Sequence, residues 1–531
     1  MVGTMKNASP KSQALLRIGV VLASLILLNI VSVRLFGRLD VTERGLFTLS
    51  DASRNLMQSL DDRLTIKVYF TEDLPAPYNN NRRALLDQLN EYKAYSRGNL
   101  LFEFIDPSGE KGEQEAQQQG IAPVQVQVVK EDKFEVKRAY MGLVFLYEDK
   151  KEVIPVIQNT STLEYDLSST IKQLTSRTKK KIGFLTGQGE PALSELSRAQ
   201  QLLSKQYEIT TVDLSGGKSV PMDVSALVIM APNQRFTEPV KFQIDQHLMR
   251  GGKVAFLLNK VDANLQQRFG RAVELGLEDM LETYGLRINP DLVRDAQCAN
   301  ISIVQQQFGF NIQSQVPFPY LPMASKFSEG NMMVKDLQGL VLFFVSSVDT
   351  TNLAARNLQG EILIRSSEQS GRQSQFFMFD PLARYTQAEF SEKEIPLAAL
   401  VHGQFKSLYE GRPAPADTTP GAVAIPAEPL TPSIETRVVL VGDGDFARDQ
   451  YLGNRDNLTF FANMIDYLVD DAGLITIRSK DVALPPLEQV SDGAKKAIKY
   501  ANLVVPPVLV LGYGFICWRM RKARRKAMEM Q

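Results

Sequence analysis

At 531 residues, with 44% hydrophobic and 23% charged content, the chain has the length of three or four domains and the composition of packed globular ones, which excludes a disordered polymer. Its 60 basic side chains balance its 60 acidic ones, so no global field draws nucleic acid. Two cysteines and two histidines leave a disulfide framework, a CxxC redox centre and a structural zinc site without their ligands.

The first predicted element is an apolar run at residues 18–33, and its counterpart at residues 503–518 is followed at once by Arg519, Arg521, Lys522, Arg524, Arg525 and Lys526. A helix of about 18 residues rises roughly 27 Å, close to the hydrocarbon thickness of a bilayer. The pattern therefore predicts two transmembrane helices, in residues 1–38 with a short tail and in residues 503–531 with a basic one. The positive-inside bias places both termini in the cytoplasm. The expected location is the inner (cytoplasmic) membrane, two-pass, with the body extracytoplasmic or periplasmic. The lipid bilayer is thus one partner, and small or polar residues within the runs suit helix assembly.

Between the runs the chain reads as α/β. Residues 39–176 form a first domain: a β-branched strand at residues 65–70, a helix near 82–95 with Leu85, Leu86, Leu89 and Tyr92 on one face, and a strand at 101–105. A Gln/Glu-rich helix and strands near 124–129, 142–147 and 151–156 follow. The order resembles a thioredoxin-like fold, with Asp73-Leu74-Pro75-Ala76 where a redox member carries CxxC.

Residues 177–294 open a second unit, in which short apolar strands at 179–186, 208–213, 226–230 and 254–258 alternate with helices, as in a doubly wound parallel sheet. Its last strand and helix, at residues 437–441 and 458–469, fall in a closing segment, 434–480, followed by a linker at 481–502. The stretch 295–433 reads as a β-rich insert, with strands expected at 341–345 and 376–379. It ends in a loop carrying Pro413, Pro415, Pro420, Pro426, Pro429 and Pro432, whose composition fits a flexible excursion.

Open α/β sheets bind ligands beyond the carboxyl ends of their strands. Two turns lie there: Gly187-Gln188-Gly189-Glu190 and Gly442-Asp443-Gly444-Asp445. The candidate ligand or partner site is therefore Gln188, Glu190, Asp443, Asp445 and Asn463, expected on one rim. Each turn has a plain alternative, a tight glycine turn for the first and an Asx turn for the second. Neither a full dinucleotide fingerprint nor a P-loop is present. Cys298 lacks a nucleophile elbow, and His247 and His402 sit in packing contexts. No catalytic residue, metal ligand or cofactor is expected.

Several stretches together resemble one family. Leu39-Asp40-Val41-Thr42-Glu43-Arg44-Gly45-Leu46-Phe47-Thr48-Leu49-Ser50 is similar to its "LTEEKRYTLS" opening, and residues 182–190 are similar to its "FLTGHGE" segment, with Gln188 in place of His. Arg250-Gly251-Gly252-Lys253, Val441-Gly442-Asp443-Gly444-Asp445-Phe446 and Asn463-Met464-Ile465-Asp466-Tyr467-Leu468 match further blocks. The family is the GldG-like group of ABC-transporter auxiliary proteins, associated with gliding motility and with relatives in non-gliding bacteria. The resemblance implies an ABC permease subunit and a cytoplasmic ATPase as partners, since no P-loop lies in this chain. It also implies that the second unit is a class I glutamine amidotransferase-like domain without its cysteine nucleophile. The function so implied is that of a non-catalytic auxiliary subunit coupling permease and ATPase to an envelope glycan or protein. A glycan hydrolase using Glu190, Asp443 and Asp445, or a solute-binding subunit, stands as the alternative.

Overall fold

The computed structural model describes residues 48–480, except 76–77, 131–132, 158–159, 161, 308–309, 418–421, 423–427, 453 and 470–471, together with Ser24 and scattered positions between 499 and 522. The first apolar run, residues 18–33, lies outside the described residues apart from Ser24, as do Pro420 and Pro426 of the proline-rich loop. Among the described residues no helix is long and apolar enough to cross a membrane. This corrects the expectation of two flanking transmembrane helices, and with it the two-pass placement of the body outside the cytoplasm. In the sequence the second run is confined between Leu503 and Trp518, carries Pro506 and Pro507, and is closed at once by Arg519, short of the roughly 20 apolar residues a span requires.

The first sheet has four strands in the order Leu100–Ile105, Leu64–Phe70, Met141–Tyr147, Lys150–Ile154. The first pair is parallel and the others are antiparallel. Alternation along Leu64–Phe70 sends Leu64, Ile66 and Val68 to one face. There they join Leu85, Leu89 and Tyr92 of the helix Tyr78–Tyr95, and Leu167 and Ile171 of the helix Leu163–Thr175. Tyr69 points the other way, to Ala116 of the helix Glu110–Gln118. The strands Val124–Lys130 and Lys133–Ala139 form a separate hairpin.

The second sheet has eight strands. Five are parallel, in the order Tyr207–Asp213, Lys180–Thr186, Val224–Met230, Lys253–Leu257, Thr436–Val441. Beyond Thr436–Val441 come Pro396–Gly403, Leu358–Arg365 and Lys326–Phe327, all antiparallel. Three strands of the stretch expected to be an insert are thus continuous with the main sheet. The reason is the run Leu397 to Val401, which is fully buried and feeds both faces: Ala398 enters one core and Ala399 the other. Apolarity on both sides is what an internal strand needs. The helices Ser197–Leu203 and Arg455–Leu468 cover one face, and Glu238–Met249 and Glu278–Thr283 the other. Of the two other strands expected in the insert, 341–345 contributes only the two-residue strand Leu340–Val341, and 376–379 a single bridge at Met378.

A buried ionic cluster joins the two sheet units. Arg478, on the helix Ala472–Lys480, lies 2.9 Å from Asp466, and the two side chains are almost fully excluded from solvent. Tyr207 donates to Asp466 at 2.7 Å, and Arg478 donates to Asn463 Oδ1 at 2.5 Å and to Tyr165 Oη at 3.2 Å. Tyr165 belongs to the first unit's helix Leu163–Thr175 and lies under the guanidinium at 5.0 Å. Removing one partner of a buried pair strands the other charge in a dry interior. Arg478→Ala should therefore lower the unfolding free energy by about 3–5 kcal/mol, measured by denaturant titration, whereas the exposed pair Arg235–Glu274, at 3.6 Å, should be nearly silent when broken.

Candidate functional site at the strand ends

The loops after Lys180–Thr186, Val224–Met230, Lys253–Leu257 and Thr436–Val441 emerge at the carboxyl edge of the sheet and enclose a cleft of about 360 Å³. Their close approach rests on glycine. A Cβ at Gly442 would sit 1.9 Å from the Ser346 carbonyl oxygen, and one at Gly444 would sit 2.7 Å from Ala231 Cα and from the Leu257 carbonyl oxygen. These are backbone atoms, which cannot swing aside.

Within Gly442-Asp443-Gly444-Asp445 the two carboxylates do different work. Asp443 is wholly buried; its Oδ2 accepts from the Phe343 N–H and its Oδ1 from the Asp445 N–H, both at 2.7 Å. Burial, and then the neighbouring Asp445, push its carboxyl up to about 8. Asp445 instead faces the cleft. Its Oδ2 accepts from Asn259 Nδ2 at 2.7 Å and its Oδ1 from Arg448 Nη1 at 2.6 Å. Asn259 Oδ1 in turn takes the Gly444 N–H at 2.7 Å. Arg448 reaches across to Glu195, whose carboxyl that hydrogen bond holds below the usual range.

The opposite wall is the turn after Lys180–Thr186. Gln188 donates its N–H to Glu190 Oε2 at 2.8 Å, and its carbonyl accepts the N–H groups of Asn233 and Gln234, each at 3.0 Å. Burial raises the Glu190 carboxyl despite the backbone N–H groups around it. Oε1 of Glu190 and Oε1 of Gln188 are buried without a hydrogen-bond partner among the described residues. Phe343, Phe344 and Tyr451 supply an aromatic side to the cleft, with the Phe343 and Tyr451 rings 4.7 Å apart. Three cleft residues hold left-handed backbone: Gly189 at φ 79°, Ala231 at 43° and Phe344 at 51°. For a bulky aromatic that conformation is costly, and such strain persists where surrounding structure enforces it.

Of the five residues expected on one rim, Glu190 and Asp445 line the cleft. Gln188 sits in the turn that forms its wall, and Asp443 lies beneath its floor with no exposed atom. Asn463 is elsewhere. It is buried on the inner face of the helix Arg455–Leu468, donating to the Met333 carbonyl at 3.3 Å and receiving Arg478. Asn233, Asn259, Glu195, Arg448 and Tyr451 complete the cleft. Asn259 was legible by the rule that singled out the two glycine turns, since it follows a parallel strand's carboxyl end, and Arg448 by its i+3 spacing from Asp445. Among the described residues no group of three or more His, Cys, Asp or Glu side chains is placed to hold a metal ion. His247, buried in Glu238–Met249, packs its ring against Gly252 and is pushed down to about 4, chiefly by burial.

Residues 179–471 match the family described as "ABC-type uncharacterized transport system", and residues 43–146 match a domain of unknown function. The chain is 24% identical to an uncharacterized protein of Borreliella burgdorferi over 514 residues, which is 93% of this chain and 95% of that one. Among solved structures, the mmIFT52 N-terminal domain covers 54% of this chain and 97% of its own length at 13% identity and a TM-score of 0.33. PurLQS from Thermotoga maritima covers 55% of this chain and 100% of its own at 9% identity and a TM-score of 0.25.

The Asp443 carboxyl carries a testable sign. A folded value near 8 against an unfolded one of about 3.9 means that the native state binds more protons across that interval, so this group's contribution to stability falls as pH rises from about 4 to 8. The unfolding free energy should fall between pH 6 and 9 by more than it does in Asp443→Asn, and an equal pH dependence of the two chains would contradict the assignment. Gly442→Ala should destabilise at every pH by about 3 kcal/mol, the upper end for overpacking, as read by thermal unfolding.

Proposed function

Since the match over residues 179–471 spans more than half of the chain, the protein belongs to the family described as an ABC-type uncharacterized transport system, and on that premise we propose that it is a non-catalytic auxiliary subunit of such a system. In this reading it couples the system's permease and ATPase to a ligand or protein received at the strand-end cleft.

The observation that carries the reading is how the cleft's carboxylates are engaged. Asp443 has no exposed atom, and Asp445 is fixed between Asn259 and Arg448. A general acid and base must each reach a substrate proton, and a glycosidase needs two such groups flanking one bond. Here one carboxyl of the Asp443 and Asp445 pair is a structural brace and the other an anchor for a cation. The free features of the cleft are acceptors and aromatic surface, which suit holding a ligand. This weighs against the hydrolase alternative.

The test is co-purification of the full chain with the transport system's ATP-binding and permease subunits, together with transport in cells. Tyr451→Ala and Glu190→Gln should reduce transport at least fivefold while leaving subunit association and the unfolding midpoint unchanged. Turnover of a glycan or peptide substrate by the purified chain, abolished by Glu190→Gln, would overturn the non-catalytic reading.

A further inference from the structure

The hairpin Val261–Asn264 and Phe269–Ala272 borders the cleft through Val261, Asp262 and Ala263 of its first strand. Its outer strand is extended by residues 376–379. The Gly270 N–H donates to the Phe377 carbonyl at 2.8 Å and the Phe379 N–H to the Arg268 carbonyl at 2.9 Å, bracketing an antiparallel bridge between Phe269 and Met378. Bonds that flank a residue pair in this way mark a non-hydrogen-bonded pair, in which the facing side chains lie closest. Phe377 and Phe379 go inward, to the core with Val261. Phe269, Met378 and Phe376 go outward and are 50%, 69% and 84% exposed.

Phe376 is the informative one. It combines the highest exposure of the three with a left-handed φ of 51°, so neither burial nor backbone preference accounts for an aromatic there. Its turn is nevertheless fixed: Tyr320 donates to Gln373 Oε1 at 2.6 Å, and Gln373 Nε2 donates to the Phe376 carbonyl at 2.8 Å. A preorganised apolar knob in water is what a binding surface presents.

We infer that this patch docks a short, uncharged, apolar segment of one of the transport system's other subunits. The inference rests on the auxiliary-subunit reading above. Aromatic and methionine side chains with little charge among them match the centre of protein interfaces. The neighbouring Arg268 and Asp380 lie 3.9 Å apart, and Asp262 and Arg271, on the same hairpin face as Phe269, lie 3.4 Å apart, so these charges offset each other. The patch exposes on the order of 400 Å² of side chain, taking 150–250 Å² for a whole aromatic. A stable dimer takes about 800 Å² from each partner. The patch falls short of what a stable dimer takes from each partner and fits a segment of a few residues.

The experiment uses the full chain co-expressed with the ATP-binding and permease subunits, with a photo-crosslinking amino acid at position 376. Cross-links should run to one of those subunits. The double variant Phe376→Ser, Met378→Ser, with its unfolding midpoint unchanged, should retain at least tenfold less of that subunit. Equal retention by the double variant overturns the docking surface and leaves the auxiliary reading standing. Cross-links between copies, with a dimer in light scattering that the variant abolishes, assign the patch to self-association instead. Binding to phosphatidylcholine vesicles that the variant abolishes assigns it to lipid. If the unaltered chain retains no transporter subunit, the auxiliary reading and the docking surface fall together.

Discussion

The strand Thr436–Val441 is the constraint on which the rest of the molecule depends. It pairs in parallel with Lys253–Leu257, Val254 facing Val438, and antiparallel with Pro396–Gly403, Val401 facing the same Val438. One six-residue segment therefore joins the five-stranded parallel half of the sheet to the three-stranded antiparallel half. Its end also delivers Gly442 to Asp445 beside Asn259, so the floor of the cleft follows from the register of that pairing. A slip by one residue would turn Val438 and Leu440 from one core to the other and carry both aspartates out of reach of their partners.

The glycines and the aspartates of that loop make a single device. Gly442 and Gly444 remove the Cβ atoms that would hold the strand ends apart, and Asp443 occupies the space so created by accepting two main-chain N–H groups. A buried carboxyl beside a second one is costly to ionise; the cost is borne by a loop that would otherwise leave those N–H groups unpaired. Arg448 then completes the arrangement, spanning from Asp445 to Glu195 on the turn before Ser197–Leu203.

Much of this was legible in the sequence, because parallel strands buried on both faces appear as continuous β-branched runs. The four strands from residue 179 to 258 and the strand at 437–441 each fall within a few residues of their expected positions. The misreadings have local causes. The strand Pro396–Gly403 has the same apolar run as its neighbours, but it lies among irregular segments that mask it in the linear pattern. Residues 341–345 look like a strand by composition; the regular ladder covers Leu340–Val341, the Leu342 and Phe344 N–H groups still donate to the Pro322 and Tyr320 carbonyls, and left-handed Phe344 then turns the chain away. Asn463 is expected on the rim with the strand-end turns, but its helical position turns it inward to Arg478, which a linear motif does not show. The apolar run at 503–518 reads as a membrane span by hydropathy, but it is interrupted by Pro506 and Pro507 and closed by Arg519 before reaching the roughly 20 apolar residues a span requires.

The place of Thr436–Val441 in the sheet has a consequence for synthesis. Its partner Lys253–Leu257 leaves the ribosome roughly 180 residues earlier, which at 5–20 residues per second is on the order of 10–40 s. Throughout that interval the buried run Val254 to Leu257 has no neighbour on one side, and an unpaired apolar edge is a template for other chains. The nascent protein is thus open to capture by holding chaperones or by its own siblings at this edge, until the strand Thr436–Val441 emerges and closes it.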